Sequence, residues 1–158
     1  MGMALLRTPG ASPLLVGHRG ACAVAPENTM PSFERALRDG ADIVEADIRL
    51  SADGEPMVFH DATVDRTTDG TGRVLEMTCA ELQALDAGGW FDARYRGTRV
   101  PTLVELASWA KGRMGLMLEF KFDPYGSFEP SLVPAMLAVV DAMAIRDQVV
   151  VISYQRQA

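Results

Sequence analysis

Ile43-Val44-Glu45-Ala46-Asp47-Ile48 is apolar except for two acids that stand two residues apart. In an extended chain successive side chains alternate between faces, so Glu45 and Asp47 share one face and Val44, Ala46 and Ile48 take the other. Leu116-Met117-Leu118-Glu119-Phe120-Lys121 repeats the arrangement, with Leu116, Leu118 and Phe120 on one side and Glu119 and Lys121 on the other. A parallel strand covered on both faces is apolar nearly throughout. Here charges occupy one face near the C-terminal end of two separate strands. His18 and His60, the two histidines of the chain, also close short apolar runs, and each is followed by a charged residue, Arg19 or Asp61.

Outward from these two segments, short apolar runs alternate with helical patterns. Residues 14–18 predict a first strand and 31–38 a first helix, with Thr29 as N-cap, Pro31 in the first turn and Gly40 beyond the end. Residues 43–49 predict the second strand and 56–60 the third. Residues 61–100 break the rhythm with turn clusters at Thr68-Asp69-Gly70-Thr71-Gly72 and Gly88-Gly89. Between them Thr78-Cys79-Ala80-Glu81 is a capping box that opens a short helix through about Leu85. This segment reads as an excursion from the fold, not as a second domain. Thr102-Leu103-Val104-Glu105 is another capping box, opening a helix that stops at Gly112. Residues 116–121 predict the fourth strand, 131–144 a helix and 148–153 the fifth strand.

Strands that alternate with helices imply parallel pairing with helices packed outside. A doubly wound sheet and a β/α barrel both satisfy that pattern. The polar residues favour the barrel, which carries its functional groups at the C-terminal ends of its strands. The expected fold class is therefore α/β, a TIM-type β/α barrel, with a small excursion after the third strand. It is expected to be incomplete, because only five strands can be placed and a closed eight-stranded barrel takes about 250 residues. An open edge on such a sheet would invite self-association.

Composition narrows the function classes. With 48% hydrophobic and 23% charged residues the chain is not disordered, and its 158 residues fit one domain. Asp and Glu outnumber Lys and Arg by 21 to 15, a net charge of −6, which disfavours nucleic acid and anionic membrane as partners. Cys22 and Cys79 lie far apart and form no Cys-x-x-Cys pair, so neither a zinc site nor a disulfide scaffold is expected. No run approaches the length of a membrane span. Residues 1–10 lack the apolar core and cleavage site of a signal peptide, and cytoplasm is the expected location.

The polar strand residues have ordinary readings when taken singly. Glu45 and Asp47 suit the solvated face of an edge strand. Glu119 with Lys121 suits a same-face ion pair. His18 suits a turn in Gly17-His18-Arg19-Gly20, and His60-Asp61 suits a cap on the following loop. Their joint placement at strand ends favours a site instead. Unpaired buried charges are costly, so a bound cation is the simplest relief for the carboxylates. An oxygen-only set suits Mg²⁺ or Ca²⁺. Gly20 and Gly54 read as turn residues and Met114 and Met117 as packing. Glu27 reads as lead-in to the first helix or as a group reaching the barrel mouth. Trp90, Phe91 and Tyr95 read equally as an entry lining or as anchors of the excursion.

Several of these residues also form a series. His18-Arg19-Gly20, Pro26-Glu27-Asn28-Thr29, Glu45-Ala46-Asp47, Asp53-Gly54, His60-Asp61, Val100-Pro101-Thr102-Leu103 and Leu118-Glu119-Phe120-Lys121 resemble, in order and spacing, the glycerophosphodiester phosphodiesterase family. The resemblance covers residues 15–153 and implies that 12–158 is the N-terminal part of such a barrel, with 61–100 as an insertion over the active site. It implies hydrolysis of a small glycerophosphodiester to glycerol 3-phosphate and an alcohol, with a divalent cation. Glu45, Asp47 and Glu119 would be the metal ligands, His18 and His60 the general acid–base pair, and Arg19 and Lys121 the phosphate contacts. Both water and the substrate's own glycerol hydroxyl satisfy the role of attacking oxygen. Two other readings remain open: a phospholipase D-like lyase acting on choline lipids, and a catalytically incompetent barrel fragment that only binds metal or associates. The abrupt Gln155-Arg156-Gln157-Ala158 after the fifth strand supports the fragment reading.

Overall fold

The computed structural model describes residues 12–122 and 129–154. Residues 1–10 and 155–158, which carried the readings of the two termini, lie outside the described residues. In chain order the elements are β1 (Val16–Gly17), α1 (Met30–Arg38), β2 (Ile43–Leu50), β3 (Pro56–Val58), α2 (Cys79–Gln83), α3 (Leu103–Ala110), β4 (Gly115–Phe120), α4 (Leu132–Ala142) and β5 (Val149–Ile152). Single 3₁₀ turns lie at Val74–Glu76, Ala93–Tyr95 and Arg146–Gln148. β1, β2, β4 and β5 form one parallel sheet in that order. This is the expected α/β barrel, incomplete, with four parallel strands and β3 as a fifth member of the sheet.

One strand differs in kind. β3 pairs antiparallel with the end of β2, Ile48 opposite Val58 and Leu50 opposite Pro56, so it is not a barrel strand. Only residues 51–55 connect the two, and a parallel crossover needs a dozen or more. The connection closes as a tight turn: Ser51 N–H donates to the Glu55 carbonyl at 3.0 Å, and Gly54 takes φ +83°. His60 therefore lies beyond a hairpin and not at the C-terminal end of a parallel strand. Its loop is held by Phe59 N–H, which donates to the Asp47 carbonyl at 2.9 Å, and by Arg49 Nε, which donates to the His60 carbonyl at 2.8 Å.

Local sequence explains the helix ends. α2 and α3 both begin with complete capping boxes, Thr78 with Glu81 and Thr102 with Glu105. Thr29 stands at the N-cap of α1, but its hydroxyl donates to the Pro26 carbonyl at 2.6 Å and leaves the helix amides uncapped. Gly20 is a glycine for two reasons: its φ is +81°, and a Cβ there would lie 2.5 Å from Ser32 Oγ.

The main core lies between the sheet and its helices. Val44, Ala46, Ile48, Leu116 and Leu118 are fully buried on the outer face, under Phe33, Leu103, Leu106, Ala107 and Met136. Met114 joins this core, as its packing role required. A smaller cluster of Met57, Phe59, Val64, Val74, Leu82, Ala87 and Val100 joins the excursion to β3, so the excursion shares its apolar contacts with the barrel strand's hairpin. Phe33 has no exposed surface and stacks near Trp109, with ring centroids 6.2 Å apart. Phe33→Ala is expected to cost about 3–5 kcal/mol, read as a lower urea midpoint with an unchanged slope.

Candidate active site

The parallel register of β2 and β4 assembles the acidic group. Asp47 lies opposite Glu119, and Glu45 stands two residues earlier on the same face. One carboxylate oxygen from each of Glu45, Asp47 and Glu119 lies within 4.8 Å of the others. Glu45 and Asp47 are only 5% and 1% exposed. β2 is an inner strand flanked by β1 and β4, so the solvated-edge reading of its two acids does not hold.

Two cations enter this group. Lys121 Nζ donates to Glu119 Oε1 at 3.0 Å and lies 3.2 Å from Asp47 Oδ1. The ordinary reading of Glu119 and Lys121 as an ion pair is therefore real, and the pair is part of the cluster. Arg19 Nε lies 3.3 Å from Asp47 Oδ2, while the Arg19 backbone N–H donates to Glu45 Oε2 at 2.8 Å. Asn28 Nδ2 donates to Asp47 Oδ2 at 2.8 Å. His18 Nε2 sits 3.9 Å from Glu45 Oε2, with 65% of its side chain exposed.

Glu45 Oε1 is buried and has no hydrogen-bond partner among the described residues. Burial, reinforced by the charges of Asp47 and Glu119, pushes its carboxyl up to about 7. A buried carboxylate with an unused oxygen beside two more carboxylates fits a hard divalent cation such as Mg²⁺ or Ca²⁺. The residues present fit the ion that the carboxylate set implied.

His60 shares an open hollow with Arg49, Asp61, Ala62, Thr63, Lys121 and Phe122. Its Nδ1 hydrogen-bonds Asp61 Oδ1 at 2.5 Å. Arg66 then holds the Asp61 carboxyl down to about 2, with burial opposing and the His60 bond assisting.

Two neighbours, Asn28 and Arg66, were not assigned from the sequence, and Glu27 carried two readings. Asn28 adopts φ +55°, a left-handed conformation that Asn tolerates, and this turns its amide onto Asp47. Glu27 reaches the mouth: its Oε1 accepts from Arg19 NH1 at 2.8 Å. Burial would raise its carboxyl, but hydrogen bonds from Arg66 and Arg19 outweigh that and hold it below the usual range. Arg66 bridges Glu27 and Asp61 from within the excursion. The aromatic trio anchors the excursion: Trp90, Phe91 and Tyr95 stack edge to face, and Tyr95 OH donates to the Val24 carbonyl at 3.3 Å.

A parallel sheet that gathers carboxylates, cations and a histidine at its strand ends defines an α/β-barrel protein with an acidic mouth. Residues 18–156 match the glycerophosphoryl diester phosphodiesterase family, and the chain belongs to that family. It is 37% identical over 132 residues to the glycerophosphodiester phosphodiesterase of Bacillus subtilis, covering 78% of this chain and 45% of the relative. With the enzyme of the same description from Caldanaerobacter subterraneus it shares 47% identity over 93 residues, 59% of this chain and 38% of that one. The chain thus spans less than half the length of these curated relatives. Among solved structures, glycerophosphodiester phosphodiesterase from Agrobacterium tumefaciens superposes with a TM-score of 0.83 at 40% identity, over 92% of this chain and 60% of that one. A phosphodiesterase of Oleispira antarctica, solved in complex with the product sn-glycerol-3-phosphate, gives 0.84 at 37% identity, over 91% and 58%.

Proposed function

We propose that this site hydrolyses glycerophosphodiesters to sn-glycerol 3-phosphate and an alcohol, with Mg²⁺ or Ca²⁺ held by Glu45, Asp47 and Glu119. The observation that carries the reading is the buried carboxylate trio with its unpartnered Glu45 oxygen. The product bound to the Oleispira antarctica relative supports the substrate class. When bound, the cation supplies Lewis-acid charge for a phosphoryl oxygen. Arg19 offers a guanidinium fork and Lys121 a point charge for the remaining phosphate oxygens. His18 and His60 divide the proton work: one imidazole takes the proton of the attacking oxygen and the other returns one to the departing alcohol oxygen. As the new O–P bond forms, the P–O bond to the alcohol breaks, and the pair of histidines ends with the opposite protonation. In this reading the 61–100 excursion overhangs the substrate, supported by the tie between Tyr95 and the loop that carries Glu27. The experiment is release of glycerol phosphate from glycerophosphocholine, with and without divalent cation.

No helix among the described residues is long and apolar enough to cross a membrane. A cytoplasmic location is part of the same proposal. β1 and β5 pair on one side only among the described residues, and Leu15, Val16 and Val151 are exposed there. Self-association through these edges is expected as a concentration-dependent sedimentation coefficient; a monomer at every concentration would contradict it.

A further inference from the structure

We propose that Arg66 is a positioning residue that fixes the ring of His60 and holds it in register with the carboxylate cluster. The inference rests on the reading of His60 as an acid–base group. An ionised carboxylate only accepts hydrogen bonds, so the contact of His60 Nδ1 with Asp61 Oδ1 places the ring proton on Nδ1. Nε2 is then the basic atom of the neutral ring.

Asp61 can set the tautomer only if it is itself held. Arg66 Nε donates to Asp61 Oδ2 at 2.6 Å and its NH2 to Asp61 Oδ1 at 3.1 Å. The same guanidinium grips a second carboxylate: NH1 donates to Glu27 Oε2 at 3.0 Å and NH2 to Glu27 Oε1 at 2.7 Å. Glu27 in turn accepts from Arg19 NH1, and Arg19 touches both Glu45 and Asp47. One unbroken path therefore runs from His60 through Asp61, Arg66, Glu27 and Arg19 to the carboxylates. It joins the excursion to the loop after β1, two segments with no shared secondary structure. A fork that serves two carboxylates at once needs a planar guanidinium; an ammonium cannot reproduce it. The depressed Asp61 carboxyl agrees with this clamp. Among the described residues, the other charged groups around His60 are Arg49, bonded to its carbonyl, and Lys121, which lines the same hollow.

A staple that merely stabilised the excursion would leave the His60 ring unchanged, and this separates the two roles. The chain has only two histidines, so ring ¹⁵N spectra of labelled protein, with His18→Asn for assignment, read His60 directly. Wild type is expected to show one neutral tautomer with the proton on Nδ1. Arg66→Met is expected to show a mixture of tautomers, because Asp61 loses its clamp. Its kcat for glycerophosphocholine is expected to fall about 10–100-fold while KM changes less than about threefold. Should Arg66→Met fail to fold, Arg66→Lys, which keeps the charge and stem without the fork, carries the same readout. An unchanged Nδ1 tautomer in the folded variant overturns the proposal, whatever its turnover. Absence of turnover by wild type counts against the hydrolytic reading alone, since the tautomer is read without substrate.

Discussion

Asp47→Asn is expected to abolish divalent-cation binding, measured by calorimetric titration with Mg²⁺ or Ca²⁺, and to lower turnover by about 10³-fold, the equivalent of several kcal/mol of lost charge stabilisation. Asp47 is the centre of the cluster. It faces Glu119 across the register, accepts from Asn28, and lies beside both Lys121 and Arg19. The amide is isosteric but neutral. It leaves two cationic side chains facing two carboxylates, and the excess negative charge that recommends the site to a cation disappears. Cation affinity in the variant equal to wild type would place the ion elsewhere.

His60→Ala tests the other half of the site and is expected to separate cleanly from the first. General acid–base groups contribute about 10²–10⁴-fold, so kcat is expected to fall by that factor. Cation affinity is expected to stay at the wild-type value, because His60 lies in the loop after β3 and the ligands stand on β2 and β4. Turnover within about tenfold of wild type would remove His60 from the chemistry. The contrast matters more than either number: one variant loses the ion, the other keeps the ion and loses the proton transfer.

The two-residue period of a strand is the reason the acidic cluster was legible. Alternation alone puts Glu45 and Asp47 on one face, and the same rule applied to Leu116-Met117-Leu118-Glu119-Phe120-Lys121 brings Glu119 and Lys121 to the neighbouring strand. Parallel pairing does the rest, since equal strand direction lines up the C-terminal ends. The capping boxes at Thr78 and Thr102 were legible because both partners lie within one turn.

His60 shows where apolar pattern falls short. Pro56-Met57-Val58-Phe59 has the composition of a barrel strand, and only the short link from β2 marks it as the return arm of a hairpin. The histidine still reaches the mouth, by a different route. Glu27 and Arg66 were harder to see because their contact joins positions 39 residues apart, with no periodicity on either side. Tertiary structure alone brings the excursion against the loop after β1. Asn28 gave a faint signal, as a residue type at ease with positive φ, but nothing in its spacing points to Asp47.

The central claim is that the carboxylate trio holds a cation on which diester cleavage depends. It is tested most directly by ³¹P spectra of glycerophosphocholine incubated with the 158-residue chain, once with Mg²⁺ or Ca²⁺ and once with excess chelator. The account predicts that the diester resonance gives way to glycerol phosphate only when the cation is present, and that adding the cation back restores the rate. Equal turnover in chelator, or none with either cation, would contradict it.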